Sequence, residues 1–132
     1  MTKLEIGQEL LPKTFTINRK LLIAYASASG DQNPIHQDET FAKSVGLPDV
    51  IAHGMLTMAL AGKYLSDIAG SQSVIDFSAK FIKPVVVPAD VDVALIVSGK
   101  VTELVNGTAK IELLAMCNDI KVLGMAKGLI KL

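Results

Sequence analysis

A chain of 132 residues can bury a full hydrophobic core as one domain over 1–132, and 50% apolar content points to a strongly buried interior or a subunit interface. Its 13 basic and 13 acidic residues cancel and are scattered singly, which argues against a nucleic-acid surface. The single cysteine excludes an internal disulfide or a CxxC pair, and neither an apolar signal core nor a run of the ~18 residues a membrane span needs is present, so a cytoplasmic protein is expected.

Residues 4–17 read as an extended lead interrupted by Gly7 and Pro12. Asn18 is a good N-cap for a helix over 19–28, where Leu21, Leu22 and Tyr25 form one apolar face. The loop 30–37 follows and is expected to be neither helix nor strand. Pro34 removes a backbone donor and biases Asn33 toward an extended conformation, while Gly30 and Asn33 tolerate unusual dihedrals. Asp38 then caps a short helix carrying Phe41 and Ala42, stopped by Gly46 and Pro48.

The next helix, Gly54–Ala69, carries Met55, Leu56, Met58, Ala59, Leu60, Ala61, Leu65 and Ile68 nearly all the way round. Such a helix is buried on most of its circumference. Beyond Gly70 the period changes to two: Ile75, Phe77, Ala79 and Phe81 alternate with polar residues, as in a half-buried strand. Pro84 and Pro88 mark a bend. Strands over 91–105 and 108–117 are joined by Asn106-Gly107, a strong hairpin signal, and Asn118-Asp119 turns into a final strand over 120–131. Cys117 reads as a small buried residue on its strand. Long antiparallel strands after one engulfed helix imply an α+β class, a single hot-dog fold with an antiparallel sheet wrapped around a long central helix.

Two stretches carry chemistry. Ser29-Gly30-Asp31-Gln32-Asn33-Pro34-Ile35-His36 sets a carboxylate and an imidazole five positions apart on a short loop. His53-Gly54-Met55 begins 17 residues after His36, where the apolar helix starts. Together they suggest a general acid–base pair facing a helix N-terminus, where the Gly54 N–H is an unpaired donor reinforced by the helix dipole. Asn33 is expected to hold the loop by side-chain–backbone bonds, with Ser29 as a second supporting residue. Asp38 reads first as a helix cap and second as a substrate contact, and His53 orients the helix start or caps it, with a catalytic role the lesser reading. By themselves, Asp31 is also an ordinary turn former and His36 an ordinary loop histidine. Spacing neither supports nor forbids a metal on His36, His53 and Asp31 or Asp38; the expectation is no metal and no cofactor.

The run Ser29-Gly30-Asp31-x-Asn33-Pro34-Ile35-His36-x-Asp38 resembles the hydratase motif of the MaoC-like proteins, the (R)-specific 2-enoyl-thioester hydratases. Ile51-Ala52-His53-Gly54-Met55-Leu56 is similar to the start of that family's central helix, and Phe81-Ile82-Lys83-Pro84-Val85 to its Phe-x-x-Pro-Val strand. The resemblance covers about residues 5–131 and is strongest to the (3R)-hydroxyacyl-carrier-protein dehydratase subunits of actinobacterial fatty-acid elongation. Two departures stand out: Pro88-Ala89-Asp90 where many members have Gly-Asp, and Gly62 where some carry a serine that supports the catalytic pair.

The resemblance implies a hydro-lyase that interconverts trans-2-enoyl and (3R)-3-hydroxyacyl thioesters, carried on CoA or acyl carrier protein. In it Asp31 and His36 are catalytic and the Gly54 N–H is the oxyanion donor. It also implies a homodimer, or a heterodimer with a related hot-dog subunit, joined through sheet edges. Met55, Met58 and the 19–28 helix are candidates for an apolar acyl slot. Two alternatives stay open: a hot-dog thioesterase, and a non-catalytic acyl-binding or scaffold subunit.

Overall fold

The computed structural model describes residues 3–132, so Met1 and Thr2 at the start of the expected leader-free N-terminus lie outside it. Strand β1 (Glu9–Ile17) fills the extended lead, and its pairing slips between Leu10 and Lys13, around Pro12. Proline cannot donate to a ladder, so a bulge on this edge strand accommodates it. Helix α1 (Arg19–Ser29) runs one residue further than its apolar face required. The Leu21 N–H donates to Asn18 Oδ1 at 2.9 Å at its start, and Gly30 at φ 81° closes its end.

After the loop come α2 (Glu39–Ser44), capped by Asp38 as expected, and α3 (Gly54–Ala69). The strands β2 (Val74–Phe81), β3 (Val93–Val105), β4 (Thr108–Cys117), β5 (Ile120–Lys121) and β6 (Leu123–Lys131) complete one antiparallel sheet in the order β1-β3-β4-β6-β2, with β5 on β4. Asn106 and Gly107 take positive φ at the β3–β4 turn, the geometry that matches the twist of a hairpin.

Helix α3 lies against the inner face of this sheet, in contact with β2, β6 and β3. The inward rows are Val93, Leu95, Val97 and Val101 on β3, and Ala109, Ile111, Leu113, Ala115 and Cys117 on β4. Leu65 sits at the centre, fully buried, with its side chain pressed onto Gly128 of β6 so closely that a Cβ there would overlap it. Gly128 is therefore a packing requirement: it lets the helix approach the sheet. Tyr64 extends the contact by donating its hydroxyl to the Leu11 carbonyl at 2.8 Å.

Three expectations need correction. Helix α3 is not engulfed on most of its circumference: Met55, Ala59, Lys63 and Asp67, one i, i+4 row, face outward, and Met58, Leu60 and Ile68 are half-buried. Strand β2 is likewise less covered than its alternation suggests, with Ile75 and Phe81 more than half exposed. It is an edge strand, and two register shifts against β6 rotate its side chains. Finally, the strand expected over 120–131 is broken at Val122, and Met125 takes φ 48°. Val122, Leu123 and Gly124 are consecutively buried, which a flat strand cannot achieve, so the chain kinks inward there.

The Leu65–Gly128 contact predicts non-additive stabilities. Leu65→Ala should cost about 2–5 kcal/mol by opening a cavity. Gly128→Ala alone should cost about 1–3 kcal/mol by overpacking. In the Leu65→Ala background the Gly128→Ala cost should largely vanish, as urea denaturation of the double-mutant cycle would show.

Candidate active site

The loop after α1 is built from short local hydrogen bonds. Ser29 Oγ accepts from the Asp31 N–H, Asp31 Oδ1 from the Asn33 N–H, and Asn33 Oδ1 from the Ile35 N–H, each at 3.2 Å. Each polar side chain thus folds the backbone two residues ahead. Ser29 and Asn33 hold the loop in the manner expected of supporting residues. The segment is not free of helix, however: Pro34–His36 forms one 3-10 turn, with Pro34 at its first position, where a missing N–H costs nothing.

That turn swings His36 inward, to 7% exposure. Its Nδ1–H donates to the Ile51 carbonyl at 2.8 Å, and its Nε2 faces the carboxylate of Asp31, 3.9 Å away and beyond direct hydrogen-bond distance. The Asp31 side chain is 52% exposed, so acid and imidazole meet at the border of solvent and interior. The Gly54 N–H opens α3 and has no acceptor among the described residues. His36 and Gly54 line the same cleft of about 320 Å³.

The other walls of that cleft are mostly apolar, with Ile51, Phe81, Ile82, Val85, Val122 and Leu123, and Lys83 is among them as a cation. Phe81 lies across Gly54, so that a Cβ at 54 would touch its ring at 3.4 Å. The residues offered for an acyl slot lie away from this cleft. Met55 is exposed, Met58 is half-buried, and neither they nor the residues of α1 line the cleft. The kink at Val122 supplies the wall instead. Alternation of apolar residues along 120–131 carried no signal for it, because a bulge is a tertiary event. Thr57, one turn into α3, is buried and also lines the cleft. Gly62, by contrast, faces Phe77: a side chain there would have neither Asp31 nor His36 within 4 Å.

His53 occupies the N-cap position of α3 but makes no capping bond. Its Nε2–H instead donates to the Asp31 carbonyl at 3.1 Å, and its ring stacks on His36 with centroids 3.9 Å apart and planes 24° apart. Tyr25 meets the other side edge-on at 4.8 Å. Burial pushes the His53 pKa below its ordinary 6.5, and the neighbouring His36 pushes the same way, against the bond to Asp31. Asp31, His36 and His53 bring ligand-type atoms within 4.8 Å of one another. Imidazole lone pairs lie in the ring plane, so two stacked rings do not converge on an ion between them.

Two larger grooves, of about 560 and 430 Å³, involve residues of β1, β3, β4, β5 and β6 such as Lys100, Glu112 and Lys121, and contain neither imidazole. His36 and Gly54 line the smaller, more apolar cleft, and the Asp31 carboxylate lies beside it, 3.9 Å from His36 Nε2. An antiparallel sheet curled about one long helix is the hot-dog fold of the α+β class, and here an acid and an imidazole lie near the helix's leading end. The chain belongs to the MaoC-like domain family, whose pattern matches residues 2–115. It is 46% identical over 66 residues to 3-hydroxyacyl-thioester dehydratase X of Mycobacterium tuberculosis, a match covering 49% of this chain and 22% of that protein. A solved MaoC-like dehydratase superposes with a TM-score of 0.94 at 34% identity, over 97% of this chain and 40% of the other. The unliganded R-hydratase PhaJ1 from Pseudomonas aeruginosa superposes with a TM-score of 0.83 at 25% identity, over 97% and 82%. The chain thus spans less than half of the first two relatives. No helix among the described residues is long and apolar enough to cross a membrane.

The lowered His53 pKa makes a prediction about stability. Above pH 6.5 the ring is neutral in both folded and unfolded chains. Below that pH the unfolded ring takes up a proton that the folded ring resists, so stability is lost on acidification until the folded ring also protonates. The melting temperature should therefore fall more between about pH 7.5 and about pH 5.5 for the wild type than for His53→Asn. Equal slopes would contradict the buried neutral ring.

Proposed function

We propose that this chain catalyses the reversible addition of water to trans-2-enoyl thioesters, giving (3R)-3-hydroxyacyl thioesters carried on CoA or acyl carrier protein. The observation that carries the proposal is the pairing of His36 Nε2 with the Asp31 carboxylate at 3.9 Å, beside an apolar cleft that opens on the Gly54 N–H. The names of the dehydratase and R-hydratase relatives support the reaction class and the R configuration.

In the hydration direction, a water molecule sits between Asp31 and His36. The pair takes one proton as the oxygen bonds to C3. The alkene electrons move to the thioester oxygen, where the Gly54 N–H and the helix dipole stabilise the developing charge. A proton from the pair then goes to C2 as the carbonyl re-forms. One water is consumed, the pair ends as it began, and the balance closes without an oxidant or reductant. Dehydration is the same path reversed. The Phe81 ring and the kink at Val122 offer an apolar surface to the acyl chain.

A partner subunit is part of the same proposal, either a second copy or a related hot-dog chain. Met55 on α3 and Ile75, Phe81 and Ile82 on and beside the β2 edge leave an apolar margin next to an unpaired strand. Joining two such edges would cover both. The lone buried Cys117 suits a cytoplasmic setting.

With crotonyl-CoA as substrate, the conjugated-enoyl ultraviolet band should fade without release of free thiol. Thiol release would support a thioesterase instead, and neither change would support a binding role. Asp31→Asn and His36→Ala should each lower kcat by at least about 10²-fold with the fold intact by circular dichroism. Near-wild-type turnover in both would refute the site.

A further inference from the structure

The chain contains only two histidines, and the fold places one ring on the other. His36 faces the cleft; His53 lies behind it, 1% exposed and absent from the cleft's lining. The hydrogen bonds assign the two rings opposite tautomers. His36 donates from Nδ1 to Ile51, and His53 donates from Nε2 to Asp31, because a carbonyl oxygen can only accept. The His53 Nδ1 is then a buried lone pair, and it has no partner among the described residues.

Packing alone does not account for this side chain. A phenyl ring would stack on His36 equally well and leave no buried nitrogen unsatisfied. Capping does not account for it either, since Asn, Ser or Asp would satisfy the helix N–H groups that His53 leaves alone. An asparagine would supply a donor for Asp31 but no ring. Among side chains of this size, only an imidazole both stacks and donates from a position beneath the pair.

We propose that His53 is the positioning residue for both members of the acid–base pair, holding Asp31 by its main-chain carbonyl and His36 by its ring. This rests on the hydration reading above. A second proton on the stack would set two cations face to face, so the geometry reserves the mobile proton for His36 and leaves His53 as a fixed donor. Tyr25, edge-on to His53, and the Asp31 loop are the other polar groups recorded against the ring. Because His53 does not line the cleft, its loss should affect turnover more than substrate binding.

The first test needs no activity. A long-range proton–nitrogen spectrum of the full chain at neutral pH, assigned with His53→Phe and His36→Ala, should show protonation at Nδ1 in His36 and at Nε2 in His53. The same tautomer in both rings, or a charged His53, overturns the proposal. The second test is kinetic. His53→Phe keeps the stack and His53→Asn keeps a donor, and each should lower kcat for crotonyl-CoA by about ten- to a hundred-fold, with KM within about twofold of wild type. Full turnover in either variant overturns it. If the wild type itself fails to hydrate crotonyl-CoA, the assigned reaction falls, while the ring spectrum still decides the role of His53. Should a variant not fold, the wild-type spectrum, assigned through His36→Ala, decides alone.

Discussion

Three hydrogen bonds between the loop 31–36 and the strap 51–53 hold the site together. The Ile51 carbonyl accepts from His36 Nδ1, the Ile51 N–H donates to the Ile35 carbonyl, and His53 Nε2 donates to the Asp31 carbonyl. The strap is itself anchored on its far side. The Ala52 N–H reaches the Val85 carbonyl and the Val87 N–H reaches the Val50 carbonyl, both at 2.8 Å. Arg19, at the start of α1, closes the frame by donating to the Val87 carbonyl and pairing with Asp49, a contact largely shielded from solvent. The imidazole, the acid-bearing loop and the leading amide of α3 are thus positioned mostly by main-chain atoms. Side-chain substitutions in the core can weaken the fold without disturbing that frame.

The frame also explains which surface electrostatics matter. The Lys13–Asp67–Lys63 cluster is solvent-exposed and screened, so it contributes little to stability. Arg19–Asp49 differs because it bonds a backbone carbonyl as well as a carboxylate, and removing either partner would strand the other in a half-buried setting.

What was legible in the sequence is what depends on near neighbours. Asn18 and Asp38 announce helix starts because a cap is satisfied three residues on. Asn106-Gly107 announces a hairpin because its turn demands positive φ. The motif from Ser29 to Asp38, taken with the stretch His53-Gly54-Met55, also brought Asp31, His36 and Gly54 into consideration together. Long-range packing was not legible. The outward row Met55, Ala59, Lys63, Asp67 depends on how far the sheet curls, and the inward kink at Val122–Gly124 depends on what the chain must pass. The kink supplies part of the cleft wall, while the outward row lies away from it. His53 was open to orienting the helix start, capping it or a lesser catalytic reading, and the structure shows no cap. Its real neighbours come from a loop 22 residues upstream, beyond any local pattern.

The central claim is that Asp31, His36 and the Gly54 N–H surround a single thioester. A crystal structure of Asp31→Asn soaked with crotonyl-CoA would test it most directly. The carbonyl oxygen should lie within hydrogen-bond distance of the Gly54 nitrogen, C3 should face His36 Nε2, and the acyl chain should run between Phe81 and Val122. A ligand seated on the outer face of the sheet, or one whose carbonyl points away from α3, would contradict the account.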